Sequence, residues 1–166
     1  PGSLFANRFE IKRAAGSGGM GTVYCAIDRY SGDTVALKLL HAGRGGSEEA
    51  DRFAREAQLL SELRHSGIVS HIAHGQTPDG QRFLAMEWLE GQDLGERLVR
   101  GPLLVRDCLR LLEQIADALS VAHARGIIHR DLKPSNLFLI GGDIGSVKIL
   151  DFGIARRVVR SQAMTQ

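Results

Sequence analysis

At 166 residues and 18.1 kDa the chain is about one domain long, enough to bury roughly two-thirds of its unfolded surface. Twenty-one Lys and Arg against 19 Asp and Glu leave a net charge of +2, too little for a nucleic-acid or membrane-surface footprint. Hydrophobic residues at 43% and charged residues at 24% exclude a disordered chain, and the longest apolar run, residues 23–27, cannot cross a bilayer.

Two cysteines, Cys25 and Cys108, lie far apart without metal-ligand spacing. They read as reduced thiols in a cytoplasmic fold and exclude a disulfide scaffold or zinc ribbon. No charged-then-apolar leader opens the chain. It begins at Pro1 and ends at Gln166 in a polar stretch, as expected of a piece of a longer protein. Glycine, 20 of 166 residues, is well above its usual share of about 7%.

In chain order, Val23, Cys25 and Ile27 alternate with Thr22, Tyr24 and Ala26, the period of a strand. The turn Tyr30-Ser31-Gly32-Asp33 and a second strand over residues 34–40 complete an antiparallel hairpin. A glycine-rich connection leads to a helix opening near Ser47, with the stripe Phe53, Glu56, Leu60, Leu63. Strands are predicted over residues 68–73 and 82–87, around the turn Thr77-Pro78-Asp79-Gly80. Asp93 with Glu96 three residues later has capping-box character and predicts a short helix. Leu109, Leu112, Ala116, Leu119 and His123 predict an amphipathic helix of about five turns, on the order of 30 Å. Short apolar runs follow at residues 127–128, 137–140 and 147–150. Strands, one helix, more strands and then mostly helix predict an α+β fold in two lobes.

Residues 16–23 fit G-x-G-x-x-G-x-V: Gly16, Ser17, Gly18, Gly19, Met20, Gly21, Thr22, Val23. Glycines let backbone N–H groups approach a polyphosphate, although such a loop alone also reads as a flexible hairpin tip. A dinucleotide-binding fold would continue into a helix and an acidic residue; here a strand follows, and then Lys38. Alternation puts Lys38 on one strand face with Ala36 and Leu40, and Glu56 has the same anomaly on its helical stripe. Each could reach solvent at an element's edge; pairing them would satisfy both charges at once.

The segment His129-Arg130-Asp131-Leu132-Lys133-Pro134-Ser135-Asn136 is dense in ionisable groups and stiffened by proline, good material for a site. Asp151-Phe152-Gly153 places a further carboxylate after an apolar run, and hard oxygen ligands of this kind suit Mg²⁺.

In their order along the chain, the glycine loop, Val35-Ala36-Leu37-Lys38, His129-Arg130-Asp131 with Asn136, and Asp151-Phe152-Gly153 resemble the motifs of a eukaryotic-like serine/threonine protein kinase of the bacterial type. The resemblance runs from about Phe9 to Gln166, and Lys133 two residues after Asp131 is similar to the serine/threonine class. It implies a two-lobe fold: a flank at residues 1–8, a mainly antiparallel N-lobe with one helix over 9–86, and a hinge and partial C-lobe over 87–166. It implies that residues 16–21 cover the phosphates of ATP and that Lys38, held by Glu56, contacts the α and β phosphates. Asn136 and Asp151 would hold Mg²⁺, Asp131 would orient the substrate hydroxyl, and Lys133 would neutralise charge near the γ-phosphate. Ala15, Val23, Ala36 and Phe138 match positions around adenine, Met86 the gatekeeper, and Glu87 and Leu89 the adenine-binding hinge. Asp93 matches a ribose contact or simply a helix cap. The implied partners are ATP and a protein bearing Ser or Thr hydroxyls, and the oligomeric state is unknown.

Departures accompany the match. Ala15 replaces the usual larger roof over the base, which would cost about 1–2 kcal/mol of packing if buried. His71 falls where an apolar residue is common behind the Glu56 helix, which it would loosen. The chain stops within the activation segment, so weak or no phosphoryl transfer is expected of the 166 residues by themselves. Arg130 implies switching by activation-loop phosphorylation, with Thr165 either the acceptor or a frayed terminal residue. His129 is expected to pack and hydrogen-bond rather than act as base, and His41, His65, His74 and His123 to be surface or satisfied histidines. The rival class is a non-catalytic scaffold of the same shape.

Overall fold

The computed structural model describes residues 2–18, 21–40 and 47–152. Its described residues form two compact units, one comprising residues up to Ser61 with His71–Trp88, the other Glu62–Ser70 with residues 89–152.

The first unit is built on a six-stranded antiparallel sheet: β1 (Leu4–Phe5), β2 (Phe9–Gly18), β3 (Gly21–Asp28), β4 (Thr34–Leu40), β5 (His71–Gln76) and β6 (Arg82–Glu87). Their spatial order is β1-β2-β3-β4-β6-β5. Helix α1 (Ser47–Ser61) begins at the residue whose side chain marked the start in the sequence and packs on β5. β4 separates two apolar clusters by simple alternation. Val35 and Leu37 join Phe9, Ala26, Phe83 and Ala85 on one face, while Leu40 joins Leu84 and the α1 residues Phe53 and Ala57 on the other.

Sequence placed one strand three residues early. Residues 68–73 do not form a unit: β5 starts at His71, and Ile68 makes a parallel bridge to Ile149 in the second unit. β1 was not foreseen, since a two-residue strand carries no periodicity; it forms because Leu4 and Phe5 pair with Glu10 and Phe9.

The second unit holds α2 (Leu94–Val99), α3 (Val105–His123), a single 3-10 turn (Pro134–Asn136) and a small sheet. That sheet runs β7 (Gly91–Asp93), β8 (Leu137–Ile140), β9 (Val147–Ile149), all antiparallel. The capping box is present in full: Asp93 Oδ1 accepts from Glu96 N–H at 2.9 Å, and Asp93 N–H donates to the Glu96 carboxylate. Residues 127–128 form no strand, and Ile128 is exposed.

The inward face of α3 differs from the one expected. Leu111, Ile115, Ala118 and Ala122 are buried, whereas Leu109 and Leu112 are 57% and 59% exposed and Ala116 and His123 are also exposed. Both sets obey steps of three and four, so periodicity alone could not say which one the unit would cover.

Candidate functional site

Lys38 is held on β4 between Val23 of β3 and Leu84 of β6, and it is only 6% exposed. Because Leu84 belongs to the cluster beneath α1, the charge sits on the helix-covered face of the sheet, as alternation required. Lys38 is not without an interaction partner. The side chain of Glu56 lies outside the described residues, as do Gly19 and Met20 of the glycine loop, Gly153 and Thr165.

The glycine loop is the tip of the β2–β3 hairpin, with Gly16 opposite Val23, Ser17 opposite Thr22 and Gly18 opposite Gly21. Its glycines divide into two kinds. Gly21 has φ +153°, and a Cβ there would lie 2.1 Å from the Leu39 carbonyl oxygen, so the fold itself demands glycine. Gly16 and Gly18 have no such φ, and a Cβ on either would meet nothing within 4 Å. Packing among the described residues gives no reason for them to be bare. Ala15 sits at the β2 bulge and is exposed, so its small size costs the unit no buried packing. Ala36 and Met86 face each other across β4 and β6, and Glu87 lies opposite Val35. Trp88 takes Arg13 over its ring at 5.3 Å. His71, expected to loosen α1, is linked to His74 at 3.2 Å, and the His74 ring meets Phe53 of α1 edge-on.

In the second unit, the segment between α3 and β8 is fixed by a closed set of hydrogen bonds. Asp131 is 9% exposed, and its carboxylate lies 3.0 Å from the Lys133 amine. Asn136, at the end of the 3-10 turn, donates from Nδ2 to the Asp131 carbonyl at 2.8 Å. His129 accepts the Asp131 N–H at Nδ1 (3.3 Å), so Nε2 carries the ring proton and donates it to the Leu150 carbonyl at 2.7 Å. Its ring packs against that of Phe152, tilted by 51° with the centroids 4.8 Å apart. Leu150 N–H closes the circuit on the Asn136 carbonyl at 2.8 Å. His129 is therefore a packing and hydrogen-bonding residue. Arg130 and Asp151 adopt φ values of +62° and +41°, a left-handed geometry that costs non-glycine residues about 1–3 kcal/mol and clusters at functional positions. Phe138 on β8 faces Asp93 and Lys148. Leu89 is half-buried, and Asp93 commits one carboxylate oxygen to its helix cap.

The model of the protein kinase domain matches residues 9–166. The chain belongs to the protein kinase family. Relatives include the serine/threonine-protein kinase pkn2 of Myxococcus xanthus, 43% identical over 161 residues, with 95% of this chain and 19% of that protein covered. PrkC of Bacillus subtilis is 39% identical over 156 residues, covering 93% and 24%, and PknA of Mycobacterium tuberculosis is 39% identical over 163 residues, covering 95% and 37%. Among solved structures, the M. tuberculosis PknI kinase domain is similar with a TM-score of 0.83 and 32% identity, over 93% of this chain and 61% of that one. Rad53 in complex with AMP-PNP gives a TM-score of 0.77 and 32% identity, over 89% and 38%. The chain thus spans between 19% and 37% of these curated relatives. It is a bacterial-type serine/threonine kinase domain by family, with the kinase fold, and the family uses ATP and a divalent metal. Among the described residues no helix is long and apolar enough to cross a membrane.

The His65–Asp117 pair, 52 residues apart and 3.0 Å from side chain to side chain, carried no signal in the sequence.

Proposed function

We propose that the whole protein transfers the γ-phosphoryl group of ATP to Ser or Thr hydroxyls of proteins, in the cytoplasm, with this chain supplying the nucleotide- and metal-holding residues. The observation that carries the reading is the pair of glycines, Gly16 and Gly18, that packing leaves unexplained. Close approach of a bulky anion to the backbone explains them, and Lys38 on β4 supplies positive charge for the α and β phosphates. Glu56 of α1 is the carboxylate assigned to pair with Lys38. In the first unit Ala15, Val23, Ala36, Met86 and the backbone of Glu87 are assigned to adenine, and in the second unit Phe138 and the backbone of Leu89 carry the same assignment. The remaining Asp93 oxygen is available to a ribose hydroxyl.

The metal reading fits the donor chemistry. The Asn136 Nδ2 is spent on the Asp131 carbonyl, which leaves the amide oxygen, and Asp151 adds a carboxylate; both are hard oxygen donors of the kind Mg²⁺ takes. When bound, Mg²⁺ neutralises phosphate charge. Asp131, held through its N–H by His129 and through its carbonyl by Asn136, has a carboxylate of fixed position with which to accept the hydrogen bond of a substrate hydroxyl. Lys133, next to that carboxylate, faces the developing negative charge.

The test is a thermal melt of the chain with Mg²⁺ and ATP, together with transfer of labelled phosphate to a Ser/Thr peptide library by the full-length protein. Lys38→Met is expected to abolish the ATP-dependent shift. Asp131→Asn is expected to retain the shift and lose at least about 10²-fold in transfer. Equal shifts in wild type and Lys38→Met, or undiminished transfer by Asp131→Asn, would refute the assignment.

A further inference from the structure

His65 lies in the segment between α1 and β5, outside every motif discussed above, yet its ring is satisfied at both nitrogens. Nδ1 accepts the Gly67 N–H at 3.0 Å, so the ring proton is on Nε2 and points at Asp117 Oδ2 of α3, also at 3.0 Å. Gly67 is pressed so closely on α3 that a Cβ would stand 3.1 Å from that of Ala118. From Gly67 the connection continues through backbone. The Gly67 carbonyl accepts from Ile149 N–H at 2.8 Å, and Val69 N–H returns a bond to the Ile149 carbonyl at 3.0 Å. The next residue, Leu150, donates to the Asn136 carbonyl and accepts from His129, which holds Asp131. Asp151 follows directly.

We propose that His65 and Asp117 are positioning residues of the kinase, setting the place of β9 and, through it, of Asp151, Asn136 and Asp131. The imidazole is an adaptor between a helix carboxylate and a backbone N–H, accepting from one side and donating to the other. Every link lies within the second unit and is a hydrogen bond of ordinary length. The roles of Asp131, Asn136 and Asp151 rest on the function proposed above; the mechanical linkage does not.

Amide hydrogen exchange of the full-length protein, without nucleotide, tests it. His65→Phe keeps the ring and loses both hydrogen bonds; exchange at Ile149 and Leu150 is expected to accelerate about tenfold or more, with β3 and β4 unchanged. His65→Asn, whose amide oxygen can still accept from Gly67 N–H but which drops the Asp117 contact, is expected to recover part of the protection, and Asp117→Ala to lose a comparable part. Unaltered exchange at both reporters in His65→Phe would overturn the proposal. So would acceleration that is equal in β3 and β4, which would mark a general loss of stability, or His65→Asn behaving like His65→Phe. Wild type measured with Mg²⁺ and ATP in the same series separates the two questions: absence of any nucleotide protection counts against the functional reading alone.

Discussion

At Gly21 a methyl group would collide with a carbonyl oxygen, whereas at Gly16 and Gly18 it would meet only open space. If the functional reading holds, one sequence motif mixes a requirement of the fold at Gly21 with a requirement of a ligand at Gly16 and Gly18, and substitution separates them. Gly21→Ala is expected to lower stability by about 1–3 kcal/mol, seen as a lower denaturation midpoint. Gly16→Ala and Gly18→Ala should melt like wild type and show a smaller Mg-ATP shift. A second residue pair sets the acid limit. Asp28, only 1% exposed, takes a bidentate contact from Arg8 (2.8 and 2.6 Å), whose guanidinium also lies over the rings of Phe9 and Tyr30. The hydrogen bonds from Arg8 hold the Asp28 carboxyl below its ordinary value, and the same contact raises Arg8. A carboxyl depressed in the folded state stabilises above its unfolded pKa of about 3.9 and loses that contribution as pH falls through the lower folded value. Asp28→Asn should be less stable at pH 7, and its stability should fall less steeply than that of wild type below about pH 4 in acid titrations followed by circular dichroism.

Elements differ in how openly the sequence announced them. β4 was legible because Lys38 is the one charge in an otherwise apolar run from Val35 to Leu40, and α2 because Asp93 and Glu96 both face the same helix start. α3 was legible in length but not in facing: it is apolar on two sides, and only tertiary packing chooses Leu111 and Ile115 over Leu109 and Leu112. Leu111→Ala or Ile115→Ala should cost about 2–4 kcal/mol in urea unfolding, and Leu112→Gln within about 0.5 kcal/mol of nothing. β5 was misplaced because its start depends on a register shift between His71 and Ala73, which no local pattern records. Two histidines three apart would point to opposite faces of a regular strand; across the bulge their rings come within 3.2 Å on the side of Phe53. Burial pushes the His74 imidazole down. Its contribution is therefore present above the unfolded value of about 6.5 and is lost as pH falls through the lowered folded one. Melting temperature should decline from about pH 6.5 downward, and His74→Phe should flatten that decline.

For the molecule as a whole, motif order along the chain carried the family and fold, because each motif is a short run whose chemistry is local. The linkage among Asp117, His65 and Ile149 was hidden for the opposite reason: it joins residues remote in sequence, largely through backbone groups that any residue possesses. If the functional reading holds, Mg-ATP at 100 times its dissociation constant should stabilise the chain by about 2.7 kcal/mol, on the order of 5–10 °C in melting temperature. The six-stranded sheet also has a consequence for handling the protein. Among the described residues β5 is its outermost member on one side, and such a border invites a foreign strand to dock. Here the border is short, broken by the His71–Ala73 irregularity and composed of His, Ala, Gly and Gln with Ile72 as its one large exposed apolar residue. That makes it a poor template for edge-to-edge aggregation, and replacing His74 or Gln76 with valine would trade solubility for adhesiveness.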